Sequence, residues 1–231
     1  MKLSKIAAIV AIATSSMTGC LEQSSTQSNQ AIELIQEYEN KLDIYQTVTL
    51  KSDISHLSAD QKQMLALLIE ASDIIDGLYW QQAYGESKEN FLSSITDAKI
   101  KTFAEINYGP WDRLNGDKAF IAGVKAKPLG AQFYPSDMTK AEFEQANIAD
   151  KTGLYSVIRR NKDGKLSSIA YSELYSDELN RIAVILEKAS TFAQDKEFAQ
   201  YLTMRAQALR TDDYQASDLA WMDMKNNPID I

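Results

Sequence analysis

SADQKQMLALLIEASDIIDGLYWQQAYG, residues 58–85, sets the class of fold. Ser58 with Gln61 three residues later has capping-box spacing, in which each side chain satisfies the other's backbone N–H. Met64, Leu67, Leu68, Ala71, Ile74, Ile75 and Leu78 then recur at intervals of three and four, the pattern of one helical face. Gly85 stands where a glycine past the last turn would end the helix. A long helix with one apolar face needs other elements to cover it.

Candidates for that cover follow along the chain. MTKAEFEQAN repeats the start signal with Thr139 and Glu142. SDELNRIAVILEKASTFAQ opens at Ser176 and lines up Leu179, Ile182, Ala183, Leu186 and Ala193. After a break at Asp195, KEFAQYLTMRAQALR aligns Phe198, Leu202, Ala206 and Leu209. Thr211 or Asp212 would cap a last short helix through YQASDLAWMDM, and AIELIQEYENKLDIY is a further amphipathic candidate before the long helix. Strands are few: LYSVIRRNKDGKLSSIAYSELY carries an Asp163-Gly164 turn between two β-rich runs, a hairpin signal. Residues 107–137 hold three of the four prolines and several glycines and read as loop. No internal repeat is present. The expected fold class is α+β, predominantly helical, with a small β-hairpin or sheet element.

The first residues, MKLSKIAAIVAIATSSMTGC, have the form of a secretory signal peptide. Lys2 and Lys5 make a positive n-region, and the apolar run from Ile6 is too short to span a bilayer. Met17-Thr18-Gly19-Cys20 resembles the lipobox of bacterial lipoproteins, with Cys20 as the lipid-attachment residue; the alternative is a buried N-terminal helix with a chance cysteine. Cys20 is the only cysteine, so no internal disulfide is available and lipidation accounts for the leftover thiol. LEQSSTQSNQ then reads as a flexible tether. The expected organisation is signal peptide 1–19, lipid-anchored tether 20–30 and a mostly helical lobe 31–231. Leu21 after the cysteine points to the outer membrane of a Gram-negative envelope, by analogy with enterobacterial lipoproteins.

Cleavage removes two lysines and takes the formal net charge from −8 to −10. So acidic a body argues against nucleic acid as a partner. A 45% hydrophobic fraction is that of a globular protein rather than a disordered one.

Catalytic chemistry is sparse. His56 is the only histidine; zinc sites and serine or cysteine nucleophiles ordinarily need more. It reads as a surface or packing residue. Asp212 with Asp213, and Asp218 with Asp223, are acid pairs that could hold calcium, but their spacing is not that of an EF-hand and helix capping is the simpler role. Two stretches carry more aromatic and charged residues than a scaffold needs: INYGPWDRLNGDKAFI, with Trp111, Asp112, Arg113, Asn115 and Asp117, and WMDMKNNPID around Trp221. Either they bind something, or Trp111 and Trp221 plug a core while the charges solvate.

Those stretches, together with HLSADQKQMLALLIEASDIIDGLYWQQAYG, YSVIRRNKDGKLSSIAYSELY and YLTMRAQALRTDDYQASDLAWMDMKNNPIDI, resemble consecutive blocks of bacterial proteins of the dipeptidyl-peptidase III family, from about residue 48 onward. The resemblance implies a two-lobed zinc metallopeptidase removing dipeptides from peptide N-termini. Its zinc motif, resembling HExxGH with a second acidic motif, is absent from this sequence. In the family the Asn-Asn-Pro-Ile-Asp-Ile region continues into a segment resembling IGPIETYED, with the zinc motif further on. Ile229-Asp230-Ile231 accordingly reads as a strand just starting. The resemblance implies the N-terminal, cleft-forming lobe, inactive alone, with zinc held in the full-length family member and none by this chain. Its partners would be a peptide substrate, the remaining C-terminal part and, through lipid, the membrane. Tyr201 is the best match to a family tyrosine that holds substrate, with helix packing as the competing reading. Trp221, Asp223, Lys225 and Asn226 match the family block without separate roles, and of these Trp221, Asp223 and Asn226 are the substrate-binding candidates. The alternative is a complete, non-catalytic envelope lipoprotein that binds peptides or a partner protein.

Overall fold

The computed structural model describes residues 41–225, 228–229 and 231. The signal peptide, Cys20, the tether, most of the candidate helix at 31–45, and Asn226 lie outside the described residues. Among the described residues the chain forms two compact units, 41–48 with Leu92–Lys127, and Thr49–Phe91 with Pro128–Ile231.

The second unit is built on helices α1 (Ala59–Ala83), α6 (Ser176–Ser190), α7 (Lys196–Thr211) and α8 (Gln215–Asp223). α1 packs on α6, α6 on α7, and α7 on α8. Their shared core holds Met64, Leu68, Ile182, Leu186, Phe198 and Leu202 among others. The capping box of α1 is present in both directions: Ser58 Oγ accepts from Gln61 N–H at 3.2 Å, and Gln61 Oε1 accepts from Ser58 N–H at 2.9 Å. Past its C-terminus Gly85 has φ +103°, and a Cβ there would lie 3.0 Å from the Gln132 side chain. Gln132 Nε2 donates to the Tyr84 carbonyl at 2.9 Å, which explains the close approach.

Ile75 departs from expectation. It lies on the apolar stripe of α1 yet is exposed, while Trp80, off the stripe, is buried against Phe91. Periodicity gives the direction of a side chain and not what lies opposite it.

Elsewhere in this unit, β3 (Ser156–Arg160) and β4 (Leu166–Ala170) form the expected antiparallel hairpin, with Val157 opposite Ile169. Asn161 organises its turn: its Oδ1 accepts from the Asp163 and Lys165 N–H groups, both at 3.0 Å. The short α4 (Lys140–Gln145) is capped by Thr139, as its sequence signals. β4 runs through α5 (Tyr171–Leu174) into α6, so Ser176 is the first helical residue of α6 and not its cap; Tyr175 occupies the cap position. Asp195 caps α7 by accepting from Phe198 N–H.

Asp212 does not cap α8. It ends α7 in the left-handed conformation at φ +59°, and Tyr214 precedes α8 without a side-chain cap. The acidic side chain was free to serve a helix N-terminus elsewhere, and does so below. Pro228 and Ile229 form a bend and Ile231 has no regular structure, where the alternation suggested a strand. A strand needs a paired neighbour, and none lies beside this stretch among the described residues.

The first unit contains a 3-10 turn at Lys41–Ile44, helix α3 (Ala98–Asn107) capped by Asp97, and a two-residue antiparallel pair, β1 (Trp111–Asp112) with β2 (Lys118–Ala119). That pairing was not anticipated in a stretch read as loop. Phe103 and Phe120 meet edge to face at 4.8 Å in its core. The remaining helix, α2 (Lys88–Ser94), runs across the boundary between the two segments of sequence. No helix among the described residues is long and apolar enough to cross a membrane.

Candidate functional site

The Trp111 and Trp221 stretches separate clearly. Trp111 is buried, at 6% exposure, and its Nε1 donates to the Lys125 carbonyl at 2.9 Å. Around it the two acids are paired, Asp112 with Lys41 at 3.2 Å and Asp117 with Lys127 at 2.9 Å. Asn107 Oδ1 accepts from Arg113 N–H, and Asp112 Oδ1 from Leu114 N–H. This loop is an internally satisfied plug. Trp221, on α8, is 45% exposed instead.

α7 and α8 meet over an arginine held between aromatic rings. The Arg205 guanidinium lies 5.4 Å from the ring centres of both Tyr201 and Tyr214, within cation–π range. Its Nη2 donates to Asp218 at 2.7 Å. Burial works against the guanidinium charge, but Asp218 and Tyr201 outweigh it and raise its pKa above the ordinary value. Tyr214 in turn meets Tyr155, next to the hairpin, with ring centres 4.5 Å apart and the planes tilted by 36°. Burial first, and the Asp212 charge second, push the Tyr214 phenol up to about 12. The cluster therefore presents a held guanidinium and, at Tyr214, a phenol that keeps its proton well above neutral pH, an arrangement suited to binding and orienting.

The candidate residues occupy different settings in this region. Tyr201 is buried in the helical core, ring to ring with Phe198 at 6.1 Å. Its contacts run to Phe198 and Arg205, whereas Trp221 Nε1 donates to the Ile231 carbonyl at 3.0 Å. Asp223 ends α8 and is exposed, and Lys225 just beyond it is exposed as well. Arg205, Tyr214 and Tyr155 were not singled out from sequence. Arg205 follows Tyr201 by four residues, the spacing at which helical neighbours touch, and that signal was available; nothing local announces the two tyrosines.

The acid pairs have separate partners: Asp212 Oδ2 accepts from Ser172 N–H at 2.9 Å, and Asp218 pairs with Arg205. No group of three or more His, Cys, Asp or Glu among the described residues is placed to hold a metal. His56 is exposed. An open groove of about 360 Å³ runs between α1 and α6, lined by Glu70, Asp73, Gly77, Gln81, Glu178 and Arg181.

No protein-family model matches the chain. The Arabidopsis thaliana protein named Nudix hydrolase 3 is 28% identical over 256 aligned residues, which make up 84% of this chain and 33% of that protein. Among solved structures, dipeptidyl-peptidase III from Caldithrix abyssi superposes with a TM-score of 0.76 and 36% identity, over 82% of this chain and 38% of its own. Dipeptidyl-peptidase III from Corallococcus sp. strain EGB does so with a TM-score of 0.75 and 30% identity, over 82% and 37%. The chain thus spans little more than a third of the proteins it matches. Over most of its length it is related, in sequence and in fold, to a partial stretch of bacterial dipeptidyl-peptidase III chains.

Proposed function

We propose that this chain forms the N-terminal, substrate-cleft-forming lobe of a dipeptidyl-peptidase III-like zinc hydrolase that removes dipeptides from peptide N-termini. The observation that carries the reading is the agreement of fold and sequence with two solved dipeptidyl-peptidase III chains over four-fifths of this one. The resemblance puts the zinc motif downstream of the stretch matched here, and on this reading the lobe is inactive alone. The plant relative's Nudix name points to a different hydrolase chemistry. That match takes in a third of the plant protein, whereas the two solved structures agree with each other in fold and in name.

Within the lobe, Trp221 and Asp223 are the candidates a peptide can reach, because both are exposed on α8. Tyr201 acts from the core by seating Arg205, whose pairing with Asp218 holds α8 in place.

The test is a chimera in which this chain replaces the matched stretch of the Caldithrix abyssi protein. It should retain zinc through dialysis and release dipeptides from a dipeptidyl arylamide, while the chain alone does neither. Trp221→Ala and Asp223→Asn in the chimera should raise KM with little change in kcat. A folded, zinc-loaded chimera that releases no dipeptide, beside an active parent, would overturn the reading.

A further inference from the structure

α8 is amphipathic in the inverted sense. The side chains it turns toward the helical core are small or reach it late: Ser217 is buried with its Oγ donating to the Tyr214 carbonyl at 2.8 Å, and Ala220 and Met224 pack against the core. The larger apolar side chains point away. Leu219 is 56% exposed and Met222 69%, three residues apart and so on one face. A surface helix normally shows the opposite arrangement, with its apolar stripe inward. A helix that is apolar on its outer side as well is one that is covered from both sides.

The chemistry of the cover follows from the same residues. Leu219 and Met222 bring no polar atom to the face. At its flank, Trp221 has its single donor already engaged by the Ile231 carbonyl, so what it shows outward is ring. Asp218, the acidic neighbour of this face, is taken up by Arg205. Gln215 and Asp223, each four residues from Leu219, are exposed at the two ends of this face, and between them the patch offers apolar surface that fits an apolar occupant. Its source is indicated by length: the two solved relatives devote 62% and 63% of their chains to sequence that this chain does not span.

We infer that the outer face of α8, centred on Leu219 and Met222, is the docking surface on this lobe for an apolar segment of the remaining part of the peptidase chain. This rests on the peptidase reading above for the identity of the occupant. The apolar contact replaces water over both side chains, and flexible Met222 adapts to its neighbour.

Site-directed labelling tests it. In a Cys20→Ser background, Leu219→Cys and, separately, Met222→Cys should react rapidly with a maleimide in the isolated chain. Both should react at least ten-fold more slowly in the chimera with the Caldithrix abyssi remainder. Val184→Cys, at an exposed apolar position on α6, should react equally fast in both and report that the chimera is no less open overall. As a second measurement, Leu219→Glu should leave the melting temperature of the isolated chain unchanged and lower that of the chimera.

Equal labelling of Leu219→Cys in the two proteins, or equal thermal effects of Leu219→Glu, overturns the inference. Protection that grows with the concentration of the isolated chain assigns the face to a second copy and also overturns it. So does protection lost when residues 1–40 are deleted, which assigns it to the chain's own N-terminal segment. If the face is protected in a chimera that releases no dipeptide, the docking surface stands and the activity alone is rejected.

Discussion

Asp212 reaches across forty residues of sequence to accept a hydrogen bond from the Ser172 N–H at 2.9 Å, tying the end of α7 to the first turn of α5. A carboxylate at a helix start satisfies one of the backbone donors that the helix itself leaves unpaired. Asp212 does this from the left-handed region, at φ +59°, where asparagine and glycine are tolerated and alanine is strained.

Three substitutions at Asp212 should therefore rank in a defined order. Asp212→Ala loses the acceptor and keeps the strain, and should cost about 2 kcal/mol of stability. Asp212→Gly relieves the strain alone and should be intermediate, and Asp212→Asn, which retains an acceptor, should be mildest. Urea unfolding of the three variants checks the order. Equal losses for Ala and Asn would show that the bond to Ser172 contributes nothing.

In the first unit, Asp112 is almost fully buried and Lys41 retains partial access to water. Removing the lysine strands a buried carboxylate, while removing the carboxylate's charge leaves an ammonium able to re-solvate. Lys41→Met should thus be more destabilising than Asp112→Asn, by about 1 kcal/mol, given that stranding a buried charge is the costlier half of breaking such a pair. Amide exchange in α3, which reads this unit directly, would measure it. The reverse ranking would mean the pair is held mainly by the Leu114 N–H.

Tyr214 gives a pH dependence. Its phenol titrates at about 12 in the folded chain and near its ordinary value of 10.0 when unfolded. Between these values the unfolded chain has released the proton and the folded chain has not, so stability falls as pH rises. The contribution is complete below pH 10 and is lost as pH climbs through 12. Tyr214→Phe should flatten that part of the stability–pH curve. An ultraviolet difference titration should show one fewer tyrosine ionising late; an unchanged curve would place the late phenol elsewhere.

Lipid attachment at Cys20 remains a proposal from sequence, and fractionation decides it. The wild-type protein should sediment with membranes and resist high-salt washing, because stable anchoring takes more than one acyl chain. Cys20→Ser should be released. A variant that stays with the membrane would remove the anchor.

What the sequence determined by itself was local. The capping box of α1, the glycine that ends it, the Thr139 start of α4 and the hairpin with its Asp163-Gly164 turn depend on residues within a few positions of one another, and each formed as its spacing requires. The family resemblance, carried by long blocks in order, was equally legible. The tertiary structure decided whatever depends on a neighbour distant in the chain. It buried Trp111 and left Trp221 exposed, although both sit among similar charges. It exposed Ile75 on an apolar stripe, and it paired Trp111–Asp112 with Lys118–Ala119 in a stretch rich in turn residues. It turned Asp212 from the cap of the following helix into a partner for Ser172, and gathered Tyr155, Tyr214 and Arg205 into one cluster from a hairpin edge and two helices. Side-chain direction follows from backbone periodicity within an element, but burial and pairing are properties of what packs opposite, and the spacing of residues along one segment carries no information about that.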